Sequence, residues 1–271
     1  MVGSDAARRD PSTGPGSDAM PGIVLHHFPS SHYNEKARWA LDWKGVAHER
    51  RSYLPGPHAP WIRRLSGQTA TPVLRLDGGI AVGSAAIVDA LERRFPERPL
   101  YPQDPDLRRR ALEIQRHFDA EVGPAVRAAV FSVLLEEPDY LCATFAAPKP
   151  RAVRRLYRAG FPLLKGIMAR ANGAADPQQV ERAFERSRRA LDFVAKEVGP
   201  SGQLVGNGFS VADLCCASLL APLVDPGHPD MARLRPLPER VEAFLRRFAS
   251  HPGAEWVLGQ YARHRRACCA L

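Results

Sequence analysis

Residues 23–95 alternate between short apolar runs and stretches with helical spacing of apolar side chains. The short runs predict strands at residues 23–28, 46–54, 71–76 and 79–83. The last two flank Asp77-Gly78, a dipeptide typical of a tight β-hairpin. Helical spacing predicts helices near residues 37–45, 61–66 and 84–96, the last with Ser84 as its N-cap. The order β-α-β-α-β-β-α predicts a small α/β domain with a mixed sheet.

Residues 29–45 (PSSHYNEKARWALDWKG) stand out because a polar loop turns without a break into a helix. Gly45 is a typical helix end. The backbone N–H groups and the positive end of the helix dipole converge where the helix begins, so this corner can hold an anion. Ser30, Ser31 and Asn34 add side chains that can donate hydrogen bonds there.

The remainder of the chain has only helical periodicity after a proline-rich linker at residues 98–106. The predicted helices cover residues 108–135, 177–198, 210–223, 237–249 and 255–265. We therefore expect a disordered leader at residues 1–20, an α/β domain at residues 21–100 and an all-helical domain at residues 101–271.

Composition restricts the class of protein. The 271 residues are 45% hydrophobic and 25% charged, as in globular proteins, and no apolar run approaches the roughly 18 residues of a membrane helix. The net charge of +9 gives no reason to expect nucleic-acid binding, because much of the excess lies in one insert. No CxxC or zinc-type spacing occurs among the five cysteines, so we expect no metal and a reducing, cytoplasmic setting. The adjacent His26 and His27 should point to opposite faces of their strand.

Three further patterns complete a family resemblance. Thr71-Pro72 opens a strand, Gly83-Ser84 opens a helix, and residues 206–223 read GNGFSVADLCCASLLAPL. With the element order and the loop at residues 29–45, these resemble the cytosolic glutathione transferase superfamily, of serine type and unassigned class. The resemblance implies a thioredoxin-like N-terminal domain followed by the all-helical C-terminal domain of that family.

The resemblance also implies a site. Ser31 falls where the family has the residue that activates the glutathione thiol, with Ser30 and Tyr33 as alternatives. Ser31 and Asn34, in the same loop, would both bind glutathione. Thr71 and a cis Pro72 would bind the cysteinyl backbone of glutathione. Gly83 and Ser84 would bind its γ-glutamyl end, although Gly83 replaces the usual acidic residue or Gln.

Two motifs have structural interpretations. Ser210 and Asp213 form an S-x-x-D pattern at a helix start, which predicts a capping box rather than a catalytic pair. Cys215 and Cys216 lie in an apolar helix and are expected in the core.

A basic insert occupies residues 138–176. Its basic residues are interleaved with apolar ones, and Gly160 and Pro162 are expected to break any single long helix. Three interpretations stay open: a helical element lining the substrate pocket, an amphipathic segment contacting anionic membranes, or a solvated basic face. The last four residues, CCAL, fit either a frayed terminus or a prenylation signal.

The leading functional prediction is a glutathione transferase that conjugates the glutathione thiolate to a small hydrophobic electrophile in detoxification, acting as a homodimer. A glutathione-dependent isomerase or reductase is a second interpretation, with reduction disfavoured because Ser31 is not a cysteine. The third is a non-catalytic binding or structural protein of the same fold, which Gly83 favours.

Overall fold

The structure is a computed structural model that describes residues 22–265 and 268–271. The leader expected at residues 1–20 lies outside the described residues. The elements of the first domain are β1 Val24–His27, α1 His32–Trp43, β2 Glu49–Ser52, α2 Ala59–Ser66, β3 Val73–Leu76, β4 Gly79–Val82 and α3 Ser84–Arg94. The helices that follow are α4 Pro105–His117, α5 Gly123–Leu134, α6 Pro138–Ala146, α7 Arg151–Ala171, α8 Pro177–Glu197, α9 Val211–Leu220, α10 Glu239–Arg246 and α11 Pro252–His264.

The first domain contains a four-stranded mixed sheet in the order β2-β1-β3-β4. Strand β1 is parallel to β2 and antiparallel to β3, and β3 is antiparallel to β4. The hairpin predicted at Asp77-Gly78 is confirmed, with φ angles of 50° and 77° at the two turn residues. The order βαβαββα is therefore the predicted one, and the fold is thioredoxin-like.

Helix α1 lies at the centre of the molecule. Trp39 and Leu41 are fully buried, and α1 packs on α3 of its own domain and on α9 of the helical domain. It begins at His32, five residues earlier than its apolar spacing predicts, and Gly45 ends it with φ 67°. Because its neighbours lie on both sides, the core is continuous between the two domains.

In the helical domain, a π-helix, Phe118–Val122, joins α4 to α5 without a break. The capping box at the start of α9 is present: the Ser210 backbone N–H donates to Asp213 Oδ2 over 2.9 Å, and the Ser210 side chain caps the first turn. Cys215 and Cys216 are fully buried in α9, as expected of core residues.

The prediction that Gly160 and Pro162 break the insert is wrong. Helix α7 runs without interruption through both residues. Pro162 is exposed, so its ring meets solvent, while Tyr157, Phe161 and Met168 on either side of it are buried in one apolar cluster. Packing on both sides of the proline therefore holds a helix that the local sequence disfavours.

The C-terminal residues are not frayed. The His48 N–H donates to the carbonyl of Cys269 over 3.2 Å, and the Leu271 N–H donates to the carbonyl of His48 over 3.0 Å. Ala270 thus forms a parallel bridge with His48, immediately before β2. Cys268 stays exposed and Cys269 half-buried. The chain end is an additional short segment along the edge of the sheet.

A buried ionic cluster joins both domains to the C-terminal segment. Arg265, just after α11, binds Glu35 over 2.8 Å, Asp42 over 2.7 Å and Asp230 over 2.6 Å. Arg38 and Arg50 complete the cluster through the same carboxylates. The side chains of Glu35, His228 and Asp230 also lie within 4.8 Å of one another. Because arginines already bind both of these carboxylates, the group acts as an ion-pair cluster.

Candidate active site

Three segments of the first domain meet at the carboxyl end of β1. His26 is paired with Val73, so the antiparallel register brings Thr71-Pro72 beside the start of the loop that follows β1. The carbonyl of Pro72 accepts a hydrogen bond of 2.9 Å from the N–H of Gly83, at the start of α3. The predicted loop, the Thr71-Pro72 pair and the Gly83-Ser84 pair are therefore brought together.

Ser31 is the N-cap residue of α1 and is half-buried. The direction of its hydroxyl follows from Asn34. The Phe28 N–H, which can only donate, lies 3.3 Å from Asn34 Oδ1, so the other end of that amide is the NH₂ group. Asn34 Nδ2 lies 2.7 Å from Ser31 Oγ and must donate to it. Ser31 Oγ is thus an acceptor for Asn34, which leaves its own hydrogen free to be donated to a ligand.

The two alternative residues have different surroundings. Ser30 has a left-handed backbone conformation with φ 56°. The Tyr33 hydroxyl donates to the carbonyl of Asp119 over 2.6 Å. Burial, together with the nearby Asp119 carboxylate, raises the pKa of Tyr33. Its proton is therefore already engaged inside the protein.

The π-helix anchors the residues that follow Ser31. His32 Nε2 lies 3.1 Å from the carbonyl of Gly123, which can only accept, so this nitrogen carries the hydrogen. Lys36 Nζ binds both carboxylate oxygens of Asp119, over 2.9 and 2.7 Å. A Cβ atom on Gly123 would lie 2.3 Å from the Tyr33 hydroxyl oxygen. Only a glycine allows this close approach, which the sequence pattern did not reveal.

The positive charge of Arg127 acts on the same corner. Arg127 lies one helical turn after Gly123 on α5, and its Nε is buried with no hydrogen-bond partner in the described part of the chain. Burial, and after it the charge of Arg127, lowers the pKa of His32 to about 3. His32 is therefore neutral, while the field of the guanidinium favours a negative charge beside it.

The Thr71-Pro72 peptide bond is cis, as the resemblance implied. Thr71 Oγ1 is buried, and among residues 22–265 and 268–271 it has no hydrogen-bond partner. A buried hydroxyl without a partner is uncommon in proteins, so this atom is available to a ligand bound at the junction.

Gly83, not Ser84, is the N-cap of α3, and Ser84 is its first helical residue. Gly83 has φ 86° and ψ 153°, a conformation that side chains with a Cβ avoid. The backbone conformation at position 83 therefore favours a glycine over the acidic residue or Gln that the family usually has there. Ser84 is buried, and the first-turn N–H groups of α3 have no acceptor within their own helix, so they are suited to a carboxylate.

His26 and His27 lie on opposite faces of the sheet, as predicted. His26 Nδ1 lies 2.8 Å from the Tyr53 hydroxyl, whereas Arg38 of α1 donates to His27 Nδ1 over 3.1 Å. Burial, followed by Arg38 and Arg50, lowers the pKa of His27 to about 3.

Residues 25–99 match the model of the glutathione S-transferase N-terminal domain. The glutathione S-transferase TCHQD of Arabidopsis thaliana is 25% identical over 221 residues, which cover 74% of this chain and 77% of the relative. The probable maleylacetoacetate isomerase 2 of Drosophila melanogaster is 27% identical over 126 residues, 45% of this chain and 55% of the relative.

The fold recurs in the solved structure of a glutathione S-transferase of Methylobacillus flagellatus KT with GSH bound. The TM-score is 0.55 at 18% identity, over 89% of this chain and 95% of that one. The fold is that of a thioredoxin-like domain followed by a helical domain, as in the glutathione S-transferases. The chain therefore resembles the glutathione S-transferase superfamily, whose N-terminal domain its residues 25–99 match, with its class unassigned.

Proposed function

We propose that the protein is a glutathione transferase that conjugates the thiolate of glutathione to a small hydrophobic electrophile. The observation that carries this proposal is the hydrogen bond from Asn34 to Ser31 Oγ, because it leaves the Ser31 hydrogen free at a helix N-terminus. A donated hydrogen bond stabilises the charged form of a thiol and lowers its pKa. The free thiol of a cysteine is mostly protonated at neutral pH, and only the thiolate is the nucleophile.

The other two segments would hold the peptide. Thr71 and Pro72 would pair with the cysteinyl backbone, with the unpartnered Thr71 hydroxyl as an additional group. Ser84 and the first-turn N–H groups of α3 would bind the γ-glutamyl carboxylate. Gly83 offers only its backbone, so the γ-glutamyl ammonium would be bound less strongly than in relatives with an acidic side chain.

In the reaction, the sulfur of the bound thiolate attacks an electrophilic carbon of the second substrate. A carbon–sulfur bond forms, and the bond to the leaving group breaks with its electron pair, so charge moves from sulfur to the leaving group. Ser31 stabilises the thiolate before attack, and Arg127 adds a favourable field. The helical domain would supply the apolar side of the electrophile pocket.

The test combines calorimetric titration of glutathione with a conjugation assay on an aromatic halide. Native protein should bind glutathione, and the ultraviolet absorbance of bound thiolate should give a pKa below that of free glutathione. Ser31→Ala should still bind glutathione but raise this pKa by about two units, which corresponds to about 2.7 kcal/mol. Its conjugation rate near neutral pH should fall accordingly.

Ser30→Ala is the matched control, since it removes the neighbouring hydroxyl from the same loop. If Ser30→Ala loses activity while Ser31→Ala conjugates at the native rate, the assignment of Ser31 is wrong. If native protein binds no glutathione at millimolar concentration, the proposed activity is wrong and a non-catalytic binding role stands instead.

Glutathione-dependent isomerisation is the second candidate, and the similarity to the Drosophila isomerase favours it. The same thiolate would add to a double bond and then leave again, so glutathione would not be consumed. A maleyl-type substrate distinguishes the two reactions: isomerisation changes its ultraviolet spectrum at constant glutathione, whereas conjugation depletes glutathione.

The oligomeric state and setting complete the proposal. The family resemblance leads us to expect a homodimer in the cytoplasm. Sedimentation equilibrium measures the oligomeric state directly. Within the described residues, no helix combines the length and the apolar character needed to cross a membrane.

A further inference from the structure

Helix α7 has one face that the fold buries. Tyr157, Phe161 and Met168 pack into a cluster with residues of α5 and α6. The Tyr157 hydroxyl also donates to the carbonyl of Pro55 in the first domain over 3.1 Å. The helix is therefore held firmly against both domains, and its other faces have a fixed orientation.

A second apolar stripe on α7 is left in solvent. The exposed fractions are 83% for Leu163, 75% for Leu156, 62% for Ile167 and 37% for Val153. Their spacing of three, seven and four residues places them on one side of the helix, over about 21 Å of its length. A continuous exposed stripe of large apolar side chains is typical of an interaction surface.

The charged side chains of α7 itself are all basic. Residues 140–175 contain seven basic residues and no acidic one. On α7, Arg158 and Lys165 pair with acidic residues of the preceding segment. Four arginines of α7 have no ion-pair partner within the described residues: Arg151, Arg154, Arg155 and Arg170. Arg170 lies seven residues beyond Leu163, on the same side as the stripe.

We propose that α7 docks the protein onto the surface of an anionic lipid bilayer. Leu156, Leu163 and Ile167 would enter the boundary between headgroups and acyl chains, while the unpaired arginines bind lipid phosphates. The exposed apolar residues of α7 suit the apolar boundary of the bilayer, and its unpaired arginines suit the negative charge of the lipid phosphates. A second copy of α7 is a poorer occupant, because pairing would bring the arginines of two helices together.

The test is co-sedimentation of the full chain with vesicles of phosphatidylcholine alone or of equimolar phosphatidylcholine and phosphatidylglycerol. Native protein should bind the anionic vesicles, with an affinity that falls as salt is added. The double variant Leu156→Ser, Leu163→Ser should bind the anionic vesicles at least about tenfold more weakly than native protein. Leu258→Ser, an exposed leucine of α11, is the control and should bind as native protein does.

A charge variant tests the arginines separately. Arg155→Gln with Arg170→Gln should weaken binding and reduce its salt dependence, whereas Arg116→Gln with Arg188→Gln, on α4 and α8, should change both less. Circular dichroism checks that each variant is folded.

Three outcomes would overturn the proposal. They are no binding to anionic vesicles at low salt, equal binding to phosphatidylcholine alone, and binding unaffected by the stripe variant. Sedimentation equilibrium without lipid is run in parallel. Self-association lost in Leu156→Ser, Leu163→Ser would assign the stripe to a second copy instead.

Discussion

At the scale of single residues, the amide of Asn34 decides what Ser31 can do. Asn34→Asp keeps the shape of the side chain but replaces its donor with a second acceptor. The Ser31 hydrogen would then be donated to the new carboxylate, whose charge also opposes a thiolate. We expect Asn34→Asp to raise the pKa of bound glutathione and to lower conjugation near neutral pH by about tenfold or more.

The measurement is the thiolate absorbance of bound glutathione as a function of pH. Asn34→Ala is the companion variant, since it removes the donor without adding charge. If Asn34→Asp leaves this pKa unchanged, Asn34 does not control the Ser31 hydroxyl.

Gly123 makes a second residue-level prediction. A Cβ there would lie 2.3 Å from the Tyr33 hydroxyl oxygen, so Gly123→Ala must displace Tyr33, which lies two residues after Ser31. We expect a loss of stability of about 1–3 kcal/mol in urea unfolding, together with lower conjugation activity. Gly160→Ala in α7 is the control: nothing lies within 4 Å of the added Cβ. It should stabilise the helix by up to about 1 kcal/mol.

Two of the buried histidines, His27 and His32, make stability depend strongly on pH. Burial lowers the pKa values of His27 and His32 to about 3, whereas an unfolded chain has about 6.5. Below pH 6.5 the unfolded state therefore binds more protons, so the free energy of unfolding falls as pH decreases. At pH 5 the two groups together give a slope of about 2.7 kcal/mol per pH unit.

Urea unfolding between pH 7 and pH 4.5 measures this slope. His32→Gln, which retains a donor for the Gly123 carbonyl, should remove about half of the contribution of these two groups, about 1.4 kcal/mol per pH unit. A slope that His32→Gln leaves unchanged would show that His32 is not kept neutral by the fold.

The sequence predicts the location of the site better than its chemistry. The hydroxyl-rich loop before α1 and the Thr71-Pro72 and Gly83-Ser84 pairs can be identified from residue types and order alone. The anchoring of Tyr33 on Asp119 cannot, because the two residues are 86 positions apart. A tyrosine in the loop is therefore ambiguous until its hydrogen-bond partner is known.

At the scale of elements, α7 shows tertiary packing overriding local preference. Pro162 has no N–H, so it cannot bond to the carbonyl four residues earlier, and its ring crowds that turn. We expect Pro162→Ala to raise the free energy of unfolding by about 1–3 kcal/mol, as measured by urea denaturation. Pro105→Ala is the control and should change little, because Pro105 is the first residue of α4, where no intrahelical donor is needed.

A decrease in stability on Pro162→Ala would mean that the helix needs the proline, and the packing explanation would then be wrong. The other element types were mostly predictable, since short apolar runs mark the strands and apolar side chains repeat with the helical period elsewhere. The π-helix could not be predicted from the sequence. Its sequence, FDAEV, has no distinctive composition, and its partners Tyr33 and Lys36, both bound to Asp119, come from the other domain.

At the scale of the whole molecule, the ionic cluster around Arg265 holds the two domains and the chain end together. Arg265→Met would leave Glu35 and Asp42 buried without their main partner. Breaking a buried ion pair from one side costs about 3–5 kcal/mol, so we expect a loss of that size in unfolding measurements. Arg263→Met, exposed on the same helix, should have a small effect.

An equal effect of both variants would contradict the special role of Arg265. No local pattern predicts this cluster, because Glu35, Arg38 and Asp42 fall among the polar positions that a helix normally turns to solvent. Their burial depends on Arg50 and Asp230, which the chain brings in from two distant segments.

The cluster also has a consequence for the order in which the protein matures on the ribosome. Glu35 is synthesised 230 positions before Arg265. Domains generally fold as they are made, N-terminal first. When the first domain has been synthesised, Arg265, the partner of its buried carboxylates, has not. Ala270, which pairs with His48 just before β2, is also still missing. Helix α1 can therefore reach its final environment only after Arg265 has been translated.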